Sequence, residues 1–230
     1  MSSGLMERVR NLKFLWLAIF GGVGALLIWD EFFAPDVPQP PANISQAPVY
    51  GPGPVNPPEV LSGDLTPVDL PIENIAQQTQ VWCWAAVSQQ LIAASRGMAN
   101  TPSQCQLVAS AYGADPGPCC AGQDPRCVTT GSLQQIQALI QQYGGRTSTY
   151  AAPTDAMTLY RTLKMGHAVV IGIEAGQGMG HVVVARGMSF QQTPQGVVAM
   201  VHINDPMAHF TQPVPYSQVA AVWRQAIIVN

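Results

Sequence analysis

Between residues 168 and 229 the chain carries four runs rich in β-branched and aliphatic residues: AVVIGIEA (168–175), HVVVARGM (181–188), GVVAMVHIN (196–204) and VWRQAIIV (222–229). Runs of this length, punctuated by Gly and Pro, read as strands. Ahead of them the period is helical. CWAAVSQQLIAASR (83–96) is Ala-rich, has Val87, Leu91 and Ile92 on one stripe, and meets Gly97 as a stop signal. Thr101-Pro102-Ser103-Gln104 reads as a capping box with Pro at the first helical position, opening a helix to about Tyr112. Ser132–Tyr143 and Thr154–Met165 are two further helical stretches, each ended by Gly. Helices first and strands afterwards predict an α+β domain with an antiparallel sheet packed on helices. No internal repeat is visible.

The chain ahead of this domain has a different composition. Phe14–Trp29 is a 16-residue run without charge, preceded by Arg8, Arg10 and Lys13 and followed by Asp30 and Glu31. With its flanks it is expected to form a transmembrane signal-anchor over 14–33, behind a cytoplasmic N-terminus of residues 1–13. A cleaved signal peptide shares the basic start and apolar middle, and cleavage would leave a secreted protein. Residues 34–71 then hold 11 of the 20 Pro, and from Asp30 to Asp69 there are six acidic residues and no basic one. Such a stretch cannot pack a core and reads as an extended linker. The remaining domain is expected over 72–230, on the periplasmic or extracellular side.

A net charge of −3 and a pI near 5.7 give no electrostatic footprint for nucleic acid. The chemistry has to come from individual residues. Cys83 opens the first helix, where unpaired N–H groups favour a thiolate. Six positions earlier, Gln77 carries an amide able to donate to a developing oxyanion. His181 opens one strand and Asp205 follows the next, so a hairpin brings the two to one end. There a carboxylate orients an imidazole that deprotonates a thiol. Asn204 is the alternative orienter, but side chains alternate along a strand and only one of the two should face His181. Among the other histidines, His167 reads as a turn residue, His202 as a mid-strand residue able to reach the cleft, and His209 as a solvated loop residue.

The ordered set Gln77-x5-Cys83-Trp84-Ala85-Ala86, Gly180-His181-Val-Val-Val and Asn204-Asp205-Pro206 resembles the bacterial papain-like cysteine proteases. It is most similar to the group with a Q-x5-C-W-A-A signature, which includes AvrRpt2-type effectors and is allied to the C39-like peptidases. The resemblance implies a papain-like fold, with a helical lobe followed by an antiparallel β-sheet lobe and the site in the cleft between. It also implies Cys83 as nucleophile, His181 as general base and acid, Asp205 as orienter and Gln77 as oxyanion donor. Val81 and Trp82 precede Cys83, so the plant-enzyme signature C-G-[SA]-C-[WY] is absent.

Four more cysteines remain: Cys105, Cys119, Cys120 and Cys127. Their spacing does not match the usual zinc patterns, and outside the cytoplasm disulfides are the better reading. A bond between neighbours Cys119 and Cys120 would be strained. Two pairings are left, 105–119 with 120–127 or 105–120 with 119–127, and both keep Cys83 free. The sequence therefore predicts a membrane-tethered thiol peptidase that acts on a peptide or protein without cofactor or metal. A catalytically silent binding or scaffold domain, or another acyl transfer or deamidation on the same residues, is the alternative.

Overall fold

The Ala-rich run does form a helix, α1 (Cys83–Arg96), in a computed structural model that describes residues 65–174 and 180–230. The anchor expected at 14–33, the linker up to residue 64 and most of the GQGMG loop lie outside the described residues. Among the described residues no helix is long and apolar enough to cross a membrane. The next helices are α2 (Gln104–Tyr112), α3 (Pro116–Cys120), α4 (Leu133–Gly144), α5 (Ala156–Lys164) and α6 (Tyr216–Val222).

The capping box of α2 lies two residues further on than expected. Ser103 is the cap and Gln106 the reciprocal partner. Thr101 instead turns its hydroxyl back to the Gly97 carbonyl and closes a short 3-10 turn. A threonine used as the end of one turn cannot also start the next helix, and this releases Gln104 for another task. The cap of α4 is Ser132 with Gln135, and that of α5 is Asp155, whose carboxylate takes the Thr158 N–H.

Seven antiparallel strands make one sheet: β1 (Val68–Asp69), β2 (Ser148–Ala151), β3 (Val169–Glu174), β4 (Gly180–Thr193), β5 (Gly196–Asn204), β6 (Val214–Pro215) and β7 (Trp223–Val229). Their order is β2-β7-β3-β4-β5-β6, and β1 pairs with β4. The four long strands are those expected from the β-branched runs. β1, β2, β6 and α6 are too short or too polar to show a period. Val68 and Asp69, counted with the linker by composition, belong to the sheet: Val68 pairs with Met188 and Asp69 with Gly187. A Cβ on Gly187 would lie 2.5 Å from the Val68 carbonyl oxygen, so this glycine permits the approach.

The sheet is covered on both faces. Val170, Val184, Ile227 and Val229 share a core with α1, α2 and α4, built on Ile92, Leu107, Ile136 and Leu139. Val169, Ile171, Val183 and Ala226 turn the other way, onto Leu159 and Leu163 of α5 and Val219 and Val222 of α6. The papain-like expectation of a helical lobe followed by a sheet lobe is thus modified, because α5 and α6 pack on the face of the sheet opposite α1. Double-sided burial explains why the central strands read as continuous apolar runs instead of alternating ones.

Candidate active site

Cys83 is the first residue of α1, half-buried, and the only unpaired cysteine among the described residues. Its neighbours pin the helix start from both sides. Trp82 donates its indole N–H to the Cys127 carbonyl at 2.7 Å, and Trp84 donates to the Thr129 carbonyl at 3.2 Å. That receiving segment is itself tied down, since Cys119 is bonded to Cys127 and Cys105 to Cys120. Of the two pairings left open by spacing, the structure holds 105–120 with 119–127. Gly131 completes the support, because a Cβ there would meet the Trp84 ring at 2.2 Å.

His181, at the second position of β4, is 3% exposed, and Asp205, just past β5, is 1% exposed. The Asp205 carboxylate accepts from His181 Nε2 at 2.7 Å. The same carboxylate also takes the backbone N–H groups of Met207, His209 and Phe210 at 2.8, 2.8 and 3.1 Å. Burial opposes its charge, but the bond to His181 and these backbone donors outweigh it and hold Asp205 below the usual carboxylate range. For His181, burial likewise disfavours the charged ring. The hydrogen bond and charge of Asp205, with those of Cys83, override it and raise the imidazole from 6.5 to about 9. Nδ1 of His181 is buried without a full hydrogen bond and is the nitrogen left for Cys83.

Asn204 does not share this arrangement. Its side chain accepts from Arg186 Nε at 2.9 Å and donates to the Ile72 carbonyl at 2.8 Å, on the side where Arg186 also pairs with Asp69. Strand alternation separates the two neighbours, and Asp205 is the one that meets the imidazole. His202, read as able to reach the site, has other partners: its ring bonds Ser189 at 2.9 Å and faces Asp69 at 3.5 Å. His167 sits against the Val229 carbonyl at 3.2 Å.

Gln77 lies on the coil leading to α1. One hydrogen of its amide goes to the Thr79 carbonyl at 2.6 Å, and its Oε1 is buried without a partner. A primary amide has two hydrogens, and the bond to Thr79 uses one of them. Two features of the site were not foreseen. His209, expected in solvent, places its ring 5.7 Å from that of His181, carried back by the turn that wraps the Asp205 carboxylate. A set of glutamine and asparagine amides also ties the coil at 72–78 to α1, to α2 and to the backbone at Asp205. Asn74 donates to the Asp205 carbonyl at 3.1 Å and accepts from Gln90 of α1 at 3.1 Å. The available signal was amides within helices otherwise built of apolar and small residues. Among the described residues no group of His, Cys, Asp and Glu side chains could hold a metal ion.

Comparison with known proteins follows the same direction. A family model described as the Peptidase_C39 like family matches residues 69–227. Among solved structures, a candidate C39-like peptidase from Bacillus anthracis is 15% identical with a TM-score of 0.47, covering 71% of this chain and 97% of its own. UfSP from C. elegans is 12% identical with a TM-score of 0.43, covering 71% of this chain, which spans 33% of that protein. No curated protein matches the chain.

Proposed function

Because this chain belongs to the Peptidase_C39 like family, we propose that it is a thiol peptidase whose nucleophile is Cys83 and whose acid and base is His181, oriented by Asp205. The observation that carries this reading is the imidazole itself. It is buried, held through Nε2 by a four-fold hydrogen-bonded carboxylate, and raised to about 9 with Cys83 among the causes. A ring so held is charged at neutral pH and can give a proton from Nδ1.

Attack forms a bond from the Cys83 sulfur to the peptide carbonyl carbon. The oxygen takes the negative charge, facing the free Gln77 N–H and the Cys83 backbone N–H. As the C–N bond breaks, His181 passes its Nδ1 proton to the departing amine and a thioester remains. Neutral His181 then takes a proton from water, the hydroxide adds to the thioester, and the acid product leaves with Cys83 restored as thiolate. The reaction so written needs no cofactor. Deamidation would follow the same course with ammonia as the leaving group.

The uncharged run 14–29 between basic and acidic flanks, followed by the Pro-rich stretch, supports a domain tethered to a membrane. Two disulfides fit its placement in an oxidising compartment. Treating the full-length protein with an epoxide inhibitor of thiol peptidases, followed by mass spectrometry, tests the chemistry. The adduct is expected on Cys83 and should disappear in His181→Ala. A folded protein left unlabelled would replace this reading with a silent binding domain.

A further inference from the structure

Gln104, the first residue of α2, is 0% exposed although its side chain is a primary amide. Burying such a group is costly unless every hydrogen-bonding position finds a partner. Here its partners flank a single residue of the proposed site. Gln104 Nε2 donates to the Ala76 carbonyl at 2.8 Å, and Gln104 Oε1 accepts the Gln78 N–H at 2.8 Å. The side chain thus pairs with the backbone on both sides of Gln77 as a neighbouring strand would, within a coil that has no strand beside it. The second Nε2 hydrogen goes to Gln89 Oε1 at 3.1 Å, and Gln89 donates to the Pro102 carbonyl at 3.0 Å, so the clamp is fixed to α1 and to the turn before α2. Gln77's own N–H donates to the Pro206 carbonyl at 3.1 Å, next to Asp205.

We infer that Gln104 is a positioning residue for the oxyanion donor: it fixes the backbone at 76–78 so that the Gln77 amide faces the carbonyl oxygen under attack. This rests on the role proposed above for Gln77. An oxyanion donor acts through preorganisation, so a backbone free to shift loses much of its effect even with the side chain intact. Cys83 and His181 are held by other elements, α1 with the 127–129 segment and the β4–β5 end. Loss of Gln104 should therefore spare the nucleophile and weaken only steps that pass through an oxyanion.

Two probes separate these effects on the full-length protein. Iodoacetamide alkylates Cys83 by displacing iodide from a saturated carbon, with no oxyanion. p-Nitrophenyl acetate transfers its acetyl group to the Cys83 sulfur through one, releasing nitrophenolate. Gln77→Ala is expected to lower the ratio of acetylation to alkylation rates by about 10²-fold. Gln104→Met, of similar size but unable to pair with backbone, is expected to lower it by about 10-fold or more. The double variant should fall no lower than Gln77→Ala alone, because Gln104 acts through Gln77. Should Gln104→Met not fold, Gln104→Glu keeps the acceptor for Gln78, loses both donated bonds, and is read by the same ratio. An unchanged ratio in the Gln104 variant beside a lowered one in Gln77→Ala overturns the inference alone. So does a double variant whose losses multiply, or a Gln104 variant that loses alkylation as well. An unchanged ratio in Gln77→Ala removes the oxyanion role itself, and the inference with it.

Discussion

The two sides of the candidate site are held by different kinds of bond. On the His181–Asp205 side the scaffold is a sheet: β4 and β5 pair over nine positions, and the carboxylate is wrapped by three backbone N–H groups of its own turn. On the Cys83–Gln77 side the supports are side chains and covalent links. Indole N–H groups reach the 127–129 segment, amides of Gln90 and Gln104 reach the 74–78 coil, and two disulfides staple α2 and α3 to the chain at Cys127. Backbone ladders tolerate substitution of most side chains along them. A coil fixed by individual amides does not, and the nucleophile side is accordingly the more sensitive to single changes away from the reacting atoms.

The largest effect expected is from Cys83→Ala. Turnover should fall by about 10⁴-fold or more, while the melting temperature stays near that of the parent, because Cys83 is only half-buried, at the start of α1, and belongs to no disulfide. Peptide hydrolysis and thermal unfolding measure the two; residual turnover near the parent level would remove Cys83 from the mechanism.

Next in size is the contrast between neighbours. Asp205→Ala should cost about 10²–10⁴-fold in kcat, whereas Asn204→Ala should act mainly on stability, by about 1–3 kcal/mol, because it strands Arg186 and the Ile72 carbonyl. The reverse ranking would transfer the orienting role to Asn204. The pH profile sharpens this pair. His181 is raised from 6.5 to about 9, so the charged ring and the stability it adds are fully present below 6.5 and are lost as pH rises through about 9. Turnover in the parent should decline through about pH 9, and the decline should move to lower pH in Asp205→Ala. Asp205, held low, contributes stability above its ordinary value of 3.8 that is lost as pH falls through its still lower folded value.

Reduction addresses the comparison most directly. The Cys105–Cys120 bond closes a 15-residue separation, a constraint of about 3 kcal/mol. Dithiothreitol should lower the melting temperature and speed amide exchange in residues 74–84 and 104–129, with β4 and β5 nearly unaffected. Equal loosening of both sides, seen by hydrogen exchange, would show that the sheet depends on the staples too. The smallest change expected is Gly187→Ala, which pushes β1 from β4 and should destabilise by about 1–3 kcal/mol, with Cys83 labelling by the epoxide maintained. Loss of that labelling would show that β1 also supports the cleft.

Most of the fold and the principal residues of the candidate site were legible because they rest on local signals. An Ala-rich run ended by Gly defines α1, a second helical run ended by Gly defines α4, β-branched runs define β3, β4, β5 and β7, and the order of Gln77, Cys83, His181 and Asp205 along the chain resembles a known family. Strand alternation alone requires that Asn204 and Asp205 face opposite ways. Tertiary structure decided which of them meets His181, since that follows from the register of β4 on β5 and the turn behind it, and these depend on contacts between residues far apart in sequence. It also selected one of two disulfide pairings, which spacing leaves equal until α2 and α3 are packed side by side. It placed helices on both faces of the sheet, brought His209 beside His181, and gave the buried amide of Gln104 to the coil around Gln77. A glutamine in a helix reads as an ordinary surface residue in sequence. Only the coil packed against it, contributed by residues 26 and 28 positions earlier, supplies the backbone groups that make its burial favourable.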